Sequence, residues 1–358
     1  MNNITILGCG HGGQALAGYF AYYGYKVTIY AHIDHPGAIN TISQLKNITL
    51  TGMINGIGEK IQATTDIELA ISDAEIIFTA LPVTAHESIF ESMLPYLKNG
   101  QIIINLSGHF SGIFQSETLK RYSLQQNINK DIIIADTTSF PFACRSDVPS
   151  VANIVAIKKS IGIAATHKNK TDMVIQKLRA INFPTTLDKF QSIIEIGLYD
   201  PSGISHVPNT LFNAGRIGNG EEFYFYKEGI TKETSILLNQ MDIERCEIGN
   251  KLGLNLPSYT CVMNDYYDLA HSSIFDFFKN SPMHNKNTFC PASLYSRYLT
   301  EEVPYCLVPW YSIGISVGYI SIITKNIIDI TSMIHQTNYL NRGRQLSKQI
   351  LEDYHLCG

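Results

Sequence analysis

The sequence predicts an α/β protein in which a doubly wound, mostly parallel sheet is followed by a mainly α-helical domain. Short β-branched runs alternate with helix-period segments through the first half of the chain. A glycine-rich turn joins the first run to the first helical segment, and beyond about Phe190 the periodicity becomes mainly helical.

The chain opens on "NITILG", a strand, and "GGQALAGYFAYYG" follows as a helix that closes at Gly24. "YKVTIYA", "EIIFTALP", "QIIINLSG" and "DIIIADT" are further short strands, with the helical "ESMLPYLKNG" among them. Near-continuous apolar strands of this kind belong to a sheet covered by helices on both faces. After "SVANIVAIKKSIGIAA" the pattern changes, and "KETSILLNQMDIERCEIGNKLG", closing at Gly253, typifies the helical remainder of the chain. The expected division is 1–185 for the sheet domain and 186–358 for the helical domain, consistent with roughly 100–200 residues per domain. "WYSIGISVGYISIITKNIIDI" reads as one buried helix, because Gly314, Gly318 and Lys325 interrupt it before it could cross about 30 Å of hydrocarbon. Ser281 to Pro291 carries the polar punctuation of a loop and is expected to lie over a cleft.

Composition narrows the function. With 45% hydrophobic and 16% charged residues the chain can bury substantial cores, which argues against disorder. Its 27 basic and 31 acidic residues form no long block of either sign, so neither nucleic acid nor an anionic membrane is expected as a partner. Seven cysteines without C-x-x-C spacing indicate no zinc cage and no disulfide framework, and no metal is expected. A reducing cytoplasm fits this usage, and the N-terminus lacks the pattern of a signal peptide. The oligomeric state is left open, a homodimer being compatible with everything above.

In "ITILGCGHGGQALAGYF", Gly8, Gly10 and Gly13 form G-x-G-x-x-G directly after the first strand and at the head of the first helix. Gly8 permits the tight turn, Gly10 lets backbone approach a pyrophosphate, and Gly13 allows close packing of helix on strand, while the helix N-terminus offers unpaired N–H groups. That context makes the motif a Rossmann-type dinucleotide fingerprint rather than a plain glycine turn, and His11 and Gly12 within the loop join the cofactor-binding candidates. An acid normally ends the second strand when it bonds the ribose of NAD. Here Tyr30, Ala31 and His32 stand there, with Asp34 displaced by turn residues. His32 and His35 would lie near a 2′-phosphate, so NADP(H) is slightly favoured over NAD(H), although no arginine clamps that position. Leu81, Pro82 and Ser107 stand at the carboxyl ends of later strands, where open α/β sheets bind their ligands.

A nicotinamide domain supplies hydride, so the second domain should contribute an acid–base group and an anchor for substrate charge. His206, in "DPSGISHVPNTLFNAGRI", is the best candidate for the acid–base group, the alternative being a histidine that only caps or fills. In "LYSRYLTEEVPYCLVPW", Arg297 can fork onto a carboxylate and Glu302, five residues on, can orient a histidine. A surface pairing of Arg297 with Glu301 is the competing reading.

These segments resemble the octopine/nopaline (opine) dehydrogenase family. "GCGHGGQALAGYF", "TTSFPFACR", "SHVPNTLFNAGRI" and "RYLTEEVPYCLVP" occur in that family's order and spacing, over nearly the whole chain. The resemblance implies an NAD(P)H-dependent reductive condensation of an α-keto acid with the amino group of an L-amino acid, giving a secondary-amine dicarboxylate. It places the catalytic histidine on His206 and the substrate-binding arginine on Arg297. Glu302 stands where the family usually has an aspartate partner, and Glu301 remains a competitor for that role. Asn213, in the matching motif, contacts substrate or cofactor or else caps and packs its helix. Arg145 and Arg216 match family positions without a defined job, and Trp310, the only tryptophan, is expected in the core. Two alternatives are a two-domain reductase of hydroxy or keto acids and a non-catalytic nucleotide-sensing module. "GISHVPN" lacks the lysine usual in the former.

Overall fold

A computed structural model describes residues 3–286 and 288–356. The chain forms two compact units, one ending at Ile196 and the other beginning at Gly197. The division falls later than the expected 185/186 boundary because Thr186–Lys189 is still a strand of the main sheet.

Among the described residues the twelve strands all lie in the first unit: β1 (Asn3–Leu7), β2 (Lys26–Tyr30), β3 (Asn47–Gly52), β4 (Gly56–Glu59), β5 (Gln62–Thr64), β6 (Ile76–Thr79), β7 (Ile102–Asn105), β8 (Ile133–Thr137), β9 (Phe142–Arg145), β10 (Val151–Ile157), β11 (Ser160–Ala165) and β12 (Thr186–Lys189). Eight of them form one sheet in the order β12-β11-β8-β7-β6-β1-β2-β5. The run from β5 to β8 is parallel throughout, and β11 reverses direction against β8. The strand order turns back between β1 and β6, and the crevice at that reversal is where a doubly wound sheet takes its ligand.

A second sheet, β4-β3-β10-β9, has no counterpart in the expected pattern. It packs on the first helix, His11–Tyr22, whose residues from Gly13 to Ala21 are all buried. The contact is close at Gly18, where a Cβ would lie 2.8 Å from Leu50 and 2.9 Å from Ile48. A helix covered on both sides needs no polar face, which is why its sequence is apolar nearly all round.

The second unit is helical. Helix Lys232–Lys251 runs through it and ends as expected, with Gly253 at φ +77° and the Leu254 N–H bonded to Gly249 O. The expected single helix across residues 310–330 is instead two, Val308–Ser316 and Ile322–Ile334, separated at Gly318 with φ +76°. The second of these starts on a tertiary cap: buried Glu244 accepts from the N–H groups of Ile323 and Thr324 at 2.8 and 2.9 Å. Trp310 is buried as expected and donates its indole N–H to Gly197 O at 2.9 Å. In the Ser281–Pro291 segment the short helix Pro282–Asn285 replaces part of the expected loop, and Phe289 bridges to Tyr224; Asn287 lies outside the described residues.

A buried ion pair within helix Lys232–Lys251 ties it to the segments around Leu198 and Pro257–Tyr259. Asp242 accepts from Arg245 at 2.9 and 2.6 Å and from the Tyr259 N–H at 2.7 Å, and Arg245 donates onward to Leu198 O and Pro257 O. Both side chains are almost fully buried. Removing the carboxylate strands a guanidinium in the interior, so Asp242→Ala is expected to lower stability by about 3–5 kcal/mol. Urea unfolding followed by circular dichroism measures it, and a loss below about 1 kcal/mol would show the pair to be incidental.

Candidate active site

The nucleotide cleft is built at the carboxyl ends of β1, β2 and β6. Gly8 takes φ +114°, and a Cβ on it would stand 2.4 Å from Ala80 O, at the end of the neighbouring strand β6. Gly13 is tighter still, with a built Cβ 1.8 Å from Gly8 O, so only glycine lets the helix begin this close to the strand. A Cβ on Gly10, by contrast, meets nothing within 4 Å. Open space over a backbone at a helix N-terminus is what an approaching pyrophosphate requires, so the loop fits a dinucleotide. Gly12 faces the Phe140 ring, where a Cβ would come to 2.8 Å, and is a packing position.

Beside this loop lies a cleft of about 660 Å³ lined by Gly8, Tyr30, Ala31, His32, Leu81 and Pro82, together with Asp34, His35, Thr65 and Ser88. Four sequence-derived candidates, Gly8, His32, Leu81 and Pro82, therefore converge there. Asp34, displaced in the sequence, returns to the same wall, and its N–H donates to His32 Nδ1 at 3.3 Å. His11 is engaged elsewhere, where its Nδ1 accepts the Ser146 N–H at 2.9 Å and ties the loop to the turn after β9. Ser107 stands just past β7 at φ +53°, outside the residues lining this cleft. Cys9 also lines it, but burial pushes its thiol up to about 11, so it stays protonated and inert at neutral pH.

An acid–base cluster is assembled in the second unit. Helix Ser202–Phe212 begins where Asp200 Oδ1 accepts from Ser202 N and Oγ at 2.9 and 2.7 Å, so His206 lies within the helix rather than ahead of it. Pro208 is likewise interior and brings no N–H to the helix ladder. Glu302 follows the short helix Arg297–Thr300 and precedes a wide, π-type turn over Val303–Leu307 that leads into Val308–Ser316. The prolines of this stretch favour the departure from α geometry: Pro309 has no N–H to give, and Pro304 O accepts from Arg344 N at 2.9 Å.

These two elements bring His206 Nδ1 to 2.9 Å from Glu302 Oε1. The pair is largely enclosed, with side chains 20% and 10% exposed, and Glu302 Oε2 is buried without a hydrogen-bond partner. Arg297 does not join them. Its Nε and Nη2 hold the two oxygens of Glu301 at 2.5 and 3.1 Å, while most of the side chain faces solvent. Of the two glutamates, Glu302 thus meets the histidine and Glu301 the arginine.

Two tyrosines that sequence reasoning missed complete the setting. Tyr226 Oη lies 3.0 Å from His206 Nε2, and the Tyr298 ring stacks on the imidazole at 4.3 Å between centroids. Asn209 and Asn213 set Tyr226 in place. Asn209 Nδ2 donates to Phe225 O at 2.8 Å, and Asn213 Nδ2 donates to Asn209 O at 2.8 Å and Gly229 O at 3.1 Å. The Asn213 Nδ2 is therefore engaged inside the fold, stapling the 225–229 turn to the helix. The N-x-x-x-N spacing on one helical face was the available signal. Arg216 is also engaged locally, bonding Glu221 and lying 3.8 Å over the Phe223 ring. Arg145 ends β9 on the surface.

Comparison with known proteins agrees with this architecture. Residues 189–335 match the family model for the α-helical domain of NAD/NADP octopine/nopaline dehydrogenase, and residues 3–139 match the N-terminal model of NAD-dependent glycerol-3-phosphate dehydrogenase. The chain is 28% identical to an opine dehydrogenase of Arthrobacter sp. (strain 1C), over 96% of this chain and 94% of that one. It is 25% identical to D-nopaline dehydrogenase of Agrobacterium tumefaciens (strain T37), over 84% and 78%. The fold is that of octopine dehydrogenase in complex with NADH and agmatine (TM-score 0.76, 17% identity, 98% and 94% covered). It is also that of yersinopine dehydrogenase with NADP+ bound (TM-score 0.66, 14% identity, 96% and 92% covered). Fold and sequence together define an NAD(P)-dependent oxidoreductase with a Rossmann-type sheet and a helical second unit. Within that class residues 189–335 carry the octopine/nopaline dehydrogenase helical domain, and the chain is similar to opine dehydrogenases along nearly its whole length.

The glycine geometry separates folding from binding. Gly10→Val places its side chain in open space, so the melting temperature should stay within a few degrees of the parent. Titration by fluorescence should show NAD(P)H affinity reduced by at least about 10-fold, or 1.4 kcal/mol. Gly13→Ala should lower both quantities. Undiminished cofactor affinity in Gly10→Val would remove this loop from the binding site.

Proposed function

We propose that this protein catalyses the reductive condensation of an α-keto acid with the amino group of an L-amino acid, and that His206 is its proton donor. The observation that carries the reading is the bond between His206 Nδ1 and Glu302 Oε1, because it fixes which nitrogen does the work. A carboxylate on Nδ1 holds the proton there, leaving Nε2 as the nitrogen that gains and loses one.

Bound NAD(P)H supplies the hydride. His206 donates from Nε2 toward the carbonyl oxygen as water leaves and the imine forms, and the same imidazole can then support the nitrogen as the imine becomes a secondary amine. Glu302 stabilises the imidazolium and keeps the ring from turning. Its extra methylene relative to an aspartate is accommodated by the wide turn that follows it. Arg297 offers the substrate carboxylate the Nη1/Nη2 edge that Glu301 leaves unused, and so contributes positioning rather than chemistry. NADP(H) is the proposed preference, supported by the two imidazoles of His32 and His35, 6.3 Å apart on the cleft wall. The cytoplasm is the proposed compartment: six cysteines among the described residues are free thiols, and no described helix is long and apolar enough to cross a membrane.

A matrix of keto acids against L-amino acids, run with NADPH and NADH and read by cofactor oxidation and product mass, tests the reaction. Oxidation should require both substrates and run faster with NADPH. Equal rates with keto acid alone would favour a simple keto-acid reductase instead.

His206→Ala should cut turnover by roughly 10²–10⁴-fold while cofactor affinity stays near the parent's. Unchanged turnover would exclude His206 as the acid.

A further inference from the structure

We propose that Tyr226 is a positioning residue for this site, holding the working nitrogen of His206 hydrogen-bonded in both protonation states through a chain that continues to Tyr298. The inference rests on the function proposed above for His206. Its basis is two contacts and a neighbour: Glu302 Oε1 to His206 Nδ1 at 2.9 Å, His206 Nε2 to Tyr226 Oη at 3.0 Å, and the Tyr298 phenol, whose ring stacks on the imidazole at 4.3 Å, as the next hydroxyl available to Tyr226.

A hydroxyl both donates and accepts, and this is the property the position requires. When the imidazole is neutral, Nδ1 keeps its proton for Glu302, and Nε2 carries a lone pair that the Tyr226 O–H can satisfy. When the imidazole is protonated, Nε2–H donates to Tyr226 Oη, and the phenolic proton turns to Tyr298. One rotation of one O–H bond follows the charge of the histidine, with no heavy atom moving. The phenol is suited to the role because burial pushes its ionisation well above the usual tyrosine value, so it remains a hydroxyl throughout the working range.

Packing holds that hydroxyl on target. The Tyr226 ring stacks on Phe278 at 4.7 Å and 4°, His284 meets it edge-on at 5.2 Å, and the two asparagines fix its backbone turn. Tyr298 covers one face of the imidazole and stacks on Phe225 as well. A substrate oxygen that takes the Nε2 proton must share this nitrogen with Tyr226 or replace it there.

Other titratable groups surround the pair. On the 297–307 segment stand the Arg297–Glu301 pair and the Cys306 thiol, which burial holds protonated. The Asp242–Arg245 pair lies on the Lys232–Lys251 helix packed against that of His206, and Asp200 begins the His206 helix itself. Tyr259, hydrogen-bonded to Ser205 beside the histidine, is raised by burial far above its usual range. Tyr226 is the neighbour that touches Nε2 directly.

The test is Tyr226→Phe in the full-length protein, which keeps the stacking ring and removes only the hydroxyl. A hydrogen bond to a charged group is stronger than one to a neutral group, so the imidazolium loses more than the imidazole. The alkaline limb of the turnover–pH profile should therefore move to lower pH by roughly one unit, with KM for the cofactor unchanged. Tyr298→Phe, one link further out, should move it the same way by less, and it tests the chain even if Tyr226→Phe does not fold. Profiles that superimpose on the parent's would overturn the proposal.

A readout independent of turnover separates this idea from the function it rests on. In protein carrying ¹⁵N-labelled histidine, with the signal assigned through His206→Gln, the Nε2 resonance should shift toward that of an unbonded imidazole in Tyr226→Phe. No shift would sink the positioning role whatever reaction the enzyme performs. A shift in a protein inactive across the substrate panel would uphold the contact and reject only the reaction.

Discussion

The contact between the Glu302 carboxylate and Nδ1 of His206 is the constraint around which the helical unit is arranged. An imidazole alone has two equivalent-looking nitrogens and a free torsion, and neither defines a direction for a proton. Placing an acceptor at 2.9 Å from one nitrogen chooses the tautomer, and the ring stacked above it limits rotation. The cost is a carboxylate largely withdrawn from water, with one oxygen unpaired. Such a group persists only when the scaffold around it is rigid, and the Asp242–Arg245 pair, the Glu244 cap and the asparagine staple each join elements that would otherwise drift.

The sheet unit solves a different problem by a related route. There the requirement is room, not orientation: a diphosphate needs bare backbone, and the loop between β1 and the first helix provides it by stacking glycines so closely that no side chain fits between Gly13 and Gly8. The same helix is then held by a second sheet on its far side. The binding loop is thus braced by packing on both flanks rather than left as an exposed turn.

Local patterns in the sequence reported local facts well. The strand–glycine–helix run marked the nucleotide loop, and the period change after the last strands marked the helical unit. The termination of helices near Gly24 and Gly253 followed from residues that adopt positive φ without strain. His206 and Glu302 could each be singled out by residue type, but choosing Glu302 over Glu301 as the partner leaned on family resemblance, because two residues ninety-six apart in the chain carry no joint periodic signal. Tyr226 escaped notice for the same reason: among twenty tyrosines nothing nearby distinguishes the one whose hydroxyl meets an imidazole. The second sheet was hidden because β4, Gly56–Glu59, is short and glycine-rich, and because β10 pairs with β3 from far along the chain, a contact that leaves no local pattern. Gly318 splits an apolar run that reads as a single helix, although isolated glycines interrupt some helices and merely weaken others.

The wide turn at Val303–Leu307 gives the segment around Glu302 an unusual intolerance of length change. A π-type turn holds one residue more than an α-helical turn, and each residue in an ordinary helix advances the azimuth by about 100°. Losing a single residue there would let the coil tighten into a regular helix and swing everything upstream around the axis, carrying the carboxylate off the imidazole without altering any side chain. Among homologues, then, insertions and deletions should be purged from these five positions more severely than substitutions are.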